Sequence, residues 1–202
     1  MKIRKYVKSD EKEWLKCRLL SFYDSSYYDN IVHQKDEYGS NDINLVATDN
    51  DMIIGFIDIE IEKKQKEICN HEGELGGMIW YLGVLPEYRN KKIATLLLEK
   101  AIKIAKCRNI FRFEAWTQDD VPANKWYKNQ NFKYIKGYLN VFGGARLVAD
   151  DVGEILGVRS VNFEAALERK SELIEKFDRI HEVRLYELIF NEFDLWRTFD
   201  AC

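Results

Sequence analysis

The chain has 202 residues, of which 46% are hydrophobic and 32% are charged, so it can bury a sizeable core. Its formal net charge of −3 gives no global positive field that would attract nucleic acid or an anionic membrane surface. No apolar run approaches the roughly 20 residues of a membrane span, and the first residues lack the apolar core of a signal peptide. We therefore expect one soluble, cytoplasmic domain with no nucleic-acid partner and no membrane partner.

The first part of the chain predicts a strand, a helix and a β-hairpin. The strand lies at 3–7, and the helix carries Trp14, Leu15, Leu19 and Phe22 on one face. Residues 24–41 are polar and rich in tyrosine, without a clean period. The runs 45–48 and 53–62 flank the turn-forming tripeptide Asp49-Asn50-Asp51, which predicts the hairpin.

The middle of the chain alternates strands and helices. The run 78–85 (MIWYLGVL) is continuously apolar and predicts a strand buried on both faces. The following elements are a helix at 93–106, a strand at 111–116, a helix from Pro122 to Asn129 and a strand at 134–142. This order implies an α/β sheet with at least one parallel crossover.

The last part predicts a loop, a helix and a final strand. Residues 143–157 read as a loop, Asn162 can cap a helix that continues to Ile180, and 183–190 (VRLYELIF) is the final strand. We interpret 143–182 as an insertion or lid before the last strand of the sheet.

A cationic turn joins the buried strand to the helix at 93–106. Arg89, Lys91 and Lys92 stand where the first backbone N–H groups of that helix lack intrahelical partners. Such a helix start can bind a pyrophosphate through its backbone donors and its dipole. The alternative is that three cations begin a surface helix by chance.

The segment YLGVLPEYRNKKIATLLLEKA resembles the coenzyme-binding core of the GNAT N-acetyltransferase superfamily. The matching residues, in order and spacing, are Val84, Pro86, Tyr88, Arg89 and Ala94. Lys92 occupies a position where the family usually has glycine. Glycine is the usual residue where the backbone must approach a phosphate closely or take a positive φ.

A second segment, ANKWYKNQNF at 123–132, resembles the family's Ala-x-x-Leu-Tyr-x-x-x-Gly-Phe helix. Trp126 replaces the leucine and Asn131 the glycine. Asp120 stands where the family frequently has an asparagine that contacts pantetheine, and the resemblance implies that nearby Asn124 would substitute for that contact.

The resemblance implies a single N-acetyltransferase domain over 1–202 that uses acetyl-CoA as co-substrate. It implies a mixed, largely antiparallel α/β sheet with helices on both faces and splayed central strands. Tyr127 would protonate the departing thiolate, since a phenol can donate a proton as charge develops on sulfur. The coenzyme would contact a set of backbone and side-chain groups: Gly83, Val84, Leu85, Arg89, Asn90, Lys91, Lys92, Ile93, Ala94, Thr95, Asn124 and Tyr127. A core-packing role is the alternative for Tyr127.

Direct attack by an amine also needs a base, because an alkylammonium is not nucleophilic. Glu114 is the first candidate, because the alternation of 111–116 places Arg112, Glu114 and Trp116 on one side of a strand. An ion pair between Glu114 and a neighbouring cation is the alternative, and water is a further route for the proton. The rival carboxylates are Asp58, Glu60, Glu72 and Glu74.

The acceptor is expected to be a primary amine of a small molecule or peptide. Aromatic faces and carboxylates both favour cations, and the aromatic candidates are Tyr27, Tyr28, Tyr81, Trp116 and Trp80, the last expected in the core. No metal is expected, because Cys69 and His71 lack two further ligands at metal-site spacing. A homodimer and a non-catalytic acyl-CoA sensor or interaction domain are further hypotheses.

Overall fold

One sheet of eight strands organises the part of the chain that the computed structural model describes, residues 1–39, 41–143 and 160–190. The strands are β1 (Lys2–Lys5), β2 (Ile43–Asp49), β3 (Met52–Ile61), β4 (Gly77–Val84), β5 (Arg112–Thr117), β6 (Lys133–Gly143), β7 (Val161–Ala165) and β8 (Arg179–Ile189). Their order is β1-β2-β3-β4-β5-β8-β6-β7, and every described pair is antiparallel except β4 with β5. The expected mixed, largely antiparallel sheet is confirmed.

Helices cover both faces of this sheet. The helices are α1 (Glu11–Phe22), α2 (Ile93–Lys106), α3 (Val121–Asn129) and α4 (Lys170–Ile174). On one face, Trp14 of α1 packs against Phe56 of β3 with 5.2 Å between ring centroids. On the other face, a Cβ at Gly55 would meet Ile93 of α2. The indole of Trp126 in α3 donates a hydrogen bond to Thr95 in α2 over 3.3 Å, so α2 and α3 share a face.

The two central strands separate after a short stretch of pairing. Parallel pairing joins only Gly77–Ile79 of β4 to Phe113–Ala115 of β5. Beyond these residues β4 continues to Val84 with β3 as its neighbour, while β5 continues to Thr117 with β8 as its neighbour. The predicted splay is therefore present, and it leaves a gap between the carboxyl ends of β4 and β5.

The helix predicted from Asn162 to Ile180 is wrong. Residues Val161–Ala165 form β7, which pairs with β6, and a 3₁₀ turn at Leu167–Arg169 and the short helix α4 follow before β8 begins at Arg179. A small second core explains the difference, because Leu139, Val141 and Leu173 are buried in it and Phe163 packs against them. Tertiary pairing thus overrides the helical spacing of the apolar residues. Apart from Gly143, the predicted loop at 143–157 lies outside the described residues.

Candidate active site

The loop before α2 presents a row of unpaired backbone donors. Asn90 and Lys92 have positive φ angles of 62° and 61°, and the first helical hydrogen bond runs from Leu96 N to Lys92 O over 3.0 Å. Among the described residues, none accepts a hydrogen bond from the N–H groups of residues 90–95. Consecutive free donors at a helix start are suited to binding an anion.

Lys92 takes the conformation that the glycine pattern requires. Its φ of 61° and ψ of 14° lie in the left-handed region, and it is the residue that precedes α2. A non-glycine residue in this region costs about 1–2 kcal/mol, so the turn retains the glycine-like geometry at that cost. The substitution at Lys92 therefore keeps the shape of the loop.

The three cations of the loop have different surroundings. Arg89 is turned toward the end of α1, where it bonds to both carboxylate oxygens of Asp24 and to Ser21 O over 2.9 Å. Lys91 Nζ lies 4.7 Å from the centre of the Tyr88 ring. The guanidinium of Arg89 is therefore engaged by the end of α1, and its expected role in holding an anion at α2 stays a prediction. No described residue pairs with the ammonium of Lys92.

The edge of β4 that faces the gap carries free backbone groups at alternate residues. Leu85 N donates to Ile54 O over 3.0 Å, and Gly83 is registered with Phe56. Because backbone groups alternate between neighbours along a strand, Gly83 and Leu85 bond toward β3, whereas Leu82 and Val84 point into the gap. Of the expected backbone partners, Val84 therefore points into the gap, and so does Leu82, which the sequence reasoning did not name. Its identification needs the β3–β4 register, which the sequence does not reveal.

Gly83 has a packing role. An added Cβ would lie 2.6 Å from the Phe56 ring and 3.1 Å from Ser21, so α1 can approach the sheet only over a glycine. Gly83 therefore allows α1 to pack against the sheet beside the gap, while its own backbone groups bond toward β3.

Tyr127 reaches the gap from α3. Its ring is buried and lies parallel to that of Tyr186, with 5.5 Å between centroids and 6° between planes. No described residue bonds to its hydroxyl. Burial raises the pKa of Tyr127 above that of free tyrosine, and the nearby phenol of Tyr27 raises it further. The residue is therefore a neutral proton donor whose hydroxyl has no described partner.

The side-chain amide of Asn124 forms its hydrogen bonds within the protein. Its amide donates to Gln118 O over 2.7 Å and to Asp120 O over 2.8 Å. Its carbonyl oxygen accepts from Arg184 and from the Tyr186 hydroxyl, each over 2.9 Å. The expectation that Asn124 substitutes for a pantetheine contact is therefore not supported, because its donors and its oxygen are already used.

Residues 24–30, which we call the strap, cross the α1 face toward β8. Asp120 accepts hydrogen bonds from Ser26 N, over 3.1 Å, and from the Ser26 hydroxyl. Arg179 donates to Ser26 O over 2.8 Å and to the Asp29 carboxylate over 2.5 Å. Sequence reasoning missed these contacts because the partners are about 90 to 150 residues apart and no local pattern links them. They fix Tyr27, which lies within the strap.

Glu114 lies in a buried ion cluster. Its carboxylate accepts from Arg112 over 2.7 Å, from Asn70 N over 2.6 Å and from His71 N over 2.9 Å. It is fully buried and opposite Met78, where β4 and β5 are still paired. The structure therefore supports the alternative of an ion pair and not the role of base, since the carboxylate is saturated and outside the gap.

The rival carboxylates are also engaged or distant. Burial raises the pKa of Asp58 to about 7, although Lys35, 3.1 Å away, lowers it. Glu60 accepts from the Trp80 indole over 2.8 Å, and Glu72 pairs with Lys66 over 2.6 Å. Glu74 is exposed on the β3–β4 connection.

The aromatic candidates do not form one cluster. Trp80 is 45% exposed and stacks on Tyr38, so its expected place in the core is wrong. The extra residue that Trp80 supplies to β4, where the β3 register shifts, turns it outward. Trp116 packs on Tyr138, and the others contact further partners: Tyr81 contacts Trp14 and Arg18, Tyr27 contacts Phe22, and Tyr28 contacts Arg179.

Within the described ranges, no group of three or more His, Cys, Asp or Glu side chains is arranged to hold a metal ion. In the same residues, no helix combines the length and the apolar character that crossing a membrane requires.

Comparisons with solved structures find the same fold. A ribosomal-protein-alanine N-acetyltransferase from Brucella melitensis is 13% identical and has a TM-score of 0.60, over 94% of this chain and 100% of that one. A GNAT-family acetyltransferase from Streptococcus pneumoniae is 17% identical, with a TM-score of 0.60 over 94% and 99%. The PaiA N-acetyltransferase from Thermoplasma acidophilum in complex with coenzyme A is 20% identical, with a TM-score of 0.52 over 66% and 90%.

Sequence comparison assigns the family. None of the curated proteins compared with this chain matches it. The model of the acetyltransferase (GNAT) family matches residues 7–132, which is more than half of the chain and includes the loop before α2, the gap and Tyr127. The chain therefore belongs to the GNAT acetyltransferase family and is an acyltransferase.

Proposed function

We propose that the protein transfers an acetyl group from acetyl-CoA to a primary amine of a small molecule or peptide by direct attack. Three sets of unpaired groups, on the elements that border the gap, support this proposal. These are the free N–H groups at 90–95, the open β4 edge at Leu82 and Val84, and the unpaired hydroxyl of Tyr127.

These groups match the parts of the coenzyme. The donors at 90–95 suit its pyrophosphate, with Lys92 as an available cation. Leu82 and Val84 suit the amides of the pantetheine arm, which can bond to a strand edge as another strand would. Acetyl-CoA, when bound, supplies the acetyl group activated as a thioester.

The chain's own residues then have separate tasks. Leu82 and Val84 orient the arm, and Tyr127 donates its proton to the thiolate sulfur as the C–S bond breaks. The strap holds Tyr27 on the opposite side of the gap, where the amine approaches. Because Glu114 is saturated and Asp58, Glu60 and Glu72 are engaged by Lys35, Trp80 and Lys66, we assign the proton that the amine loses to water.

An amine acceptor is favoured over nucleic acid. The net charge of −3 gives no basic field, and solved structures with this fold include an enzyme named for the acetylation of a ribosomal-protein alanine. The aromatic and acidic groups on the α1 face, such as Trp80 with Glu60, are compatible with a cationic substrate.

A thiol-release screen tests the proposal. Acetyl-CoA is incubated with polyamines, aminoglycosides, amino acids and peptides that begin with alanine, and free coenzyme thiol is measured. We expect saturable, amine-dependent release together with a mass increase of one acetyl group on the acceptor. If no amine raises release above the rate of hydrolysis, the proposal is contradicted.

A further inference from the structure

Gln118 combines a fixed main chain with an unsatisfied side chain. Its N–H donates to the Tyr27 hydroxyl over 2.8 Å, and its C=O accepts from Asn124 over 2.7 Å. The residue is only 5% exposed, and its Oε1 has no hydrogen-bond donor among the described residues. A buried amide oxygen without a partner costs about 1–3 kcal/mol, so its presence needs an explanation.

Gln118 directly follows β5, in the wall of the gap. Parallel pairing of β5 with β4 ends at Ala115, so Gln118 belongs to the part of the wall that has separated from β4. The segment is held from both sides, by the strap through Tyr27 and by α3 through Asn124. Its backbone is therefore fixed where a ligand in the gap would pass.

The alternation of β5, continued one residue past its end at Thr117, puts Gln118 on the α1 face. Ala115 is paired with Tyr186, whose ring stacks on Tyr127 of α3, so the odd-numbered side chains of β5 face α3. The even-numbered side chains, such as Trp116, face the opposite side. Gln118 follows Trp116 by two positions, and its N–H bonds to the strap on that side.

The neighbouring polar side chains are already used. Asn124 is saturated by four hydrogen bonds, and the carboxylate of Asp120 binds Ser26. In this wall of the gap, within the described residues, Gln118 therefore offers the buried acceptor that remains open.

We propose that Gln118 is a specificity-determining residue whose Oε1 accepts a hydrogen bond from the N–H of the acceptor amine. The inference rests on the proposed function. The free donors before α2 and the phenol of Tyr127 lie on the α2–α3 side, which leaves the α1 side of the gap for the amine. The bond persists after transfer, because a primary amine gives a secondary amide that retains one N–H.

This contact selects the class of acceptor. An alcohol gives an ester and a secondary amine gives a tertiary amide, and neither product has a hydrogen for Oε1. A site that leaves a buried acceptor unpaired disfavours such substrates. The residue thus favours primary amines over hydroxyl compounds and secondary amines.

Two coenzyme conjugates test the contact without turnover. One carries S–CH₂–C(=O)–NH–CH₃ and the other S–CH₂–C(=O)–N(CH₃)₂, so they differ in the N–H that Gln118 would receive. We expect the unaltered protein to bind the first about fivefold more tightly, as one net hydrogen bond allows. Gln118→Met, which is similar in length and has no amide, should bind both equally while its affinity for coenzyme A changes less than about twofold.

Stability and a second variant complete the experiment. Because Gln118→Met and Gln118→Leu remove a buried unpaired group, we expect melting temperatures equal to or above that of the unaltered protein. A preference for the N–H conjugate that persists in both variants overturns the inference, and so does an equal loss of affinity for coenzyme A. If the unaltered protein binds coenzyme A but does not distinguish the conjugates, this inference alone fails. If it binds no coenzyme A, the proposed function fails.

Discussion

Arg89 and Asp24 form a two-point ion pair that joins the loop before α2 to the end of α1, with distances of 2.6 and 2.7 Å. The same guanidinium also bonds to Ser21 O. The pairing raises the pKa of Arg89 and lowers that of Asp24. It therefore links the candidate anion site to the first residue of the strap.

Substitution of this pair separates its structural role from anion binding. Arg89→Ala and Asp24→Ala should each lower the free energy of unfolding by roughly 0.2–1 kcal/mol, because the pair is partly exposed. The double variant should be no less stable than the single ones, as measured by chemical denaturation. Coenzyme A affinity of Arg89→Ala should fall less than about threefold. A loss of tenfold or more, about 1.4 kcal/mol, would mean that Arg89 leaves Asp24 to bind phosphate.

Lys92 tests the cost of the left-handed turn. Lys92→Gly removes the steric penalty of a side chain at φ 61°, whereas Lys92→Ala keeps a Cβ there. We expect the glycine variant to be more stable than the alanine variant by about 1 kcal/mol, because the relief exceeds the entropy that glycine loses. Both variants lose the ammonium, so titration should show equal affinities for coenzyme A. If Lys92→Ala is more stable than Lys92→Gly, the inferred backbone strain at residue 92 is contradicted.

Glu114 is predicted to matter for stability and not for proton transfer. Glu114→Gln removes one of the three carboxylates that pair with the buried Arg112 and leaves Glu187 and Glu62, so unfolding free energy should fall by about 1–3 kcal/mol. At a temperature where the variant remains folded, kcat should stay within about threefold of that of the unaltered protein. A hundredfold drop in kcat at unchanged stability would restore Glu114 as the base.

Tyr127→Phe removes the proposed acid and leaves the ring stacked on Tyr186. We expect kcat to fall by about a hundredfold or more, with unchanged affinity for coenzyme A. Because burial raises the pKa of Tyr127, the phenol of the unaltered enzyme stays protonated through the ordinary tyrosine pKa of 10.0. The rate should therefore show no alkaline fall below about pH 10. Unchanged turnover in the phenylalanine variant would leave Tyr127 with a packing role.

Much of the fold was predictable because its central elements have strong local patterns. The apolar run at 78–85 and the helical spacing at 93–106 appear as β4 and α2 within one or two residues. The C-terminal part was not predictable, because β7 depends on pairing with β6 and on a small core around Leu173. Apolar residues at suitable spacing therefore gave the wrong element.

The candidate site divides in the same way. The loop before α2 and Tyr127 were found from short motifs, which are local. Leu82 depends on strand register, and the contacts of Ser26 and Gln118 depend on residues far away in the sequence. The sequence shows that Glu114 carries a carboxylate. The alternation of residues 111–116 does not reveal that Arg112 and two backbone N–H groups saturate this carboxylate.

Amide hydrogen exchange with and without coenzyme A tests most directly whether the backbone around the gap holds the coenzyme. We expect slower exchange at the N–H groups of 90–95, which have no acceptor among the described residues. We expect the same at Leu82 and Val84, whose backbone groups point into the gap. The N–H groups of β1, at the far edge of the sheet, should exchange at unchanged rates. Coenzyme binding that leaves 90–95 and β4 unprotected would contradict the account.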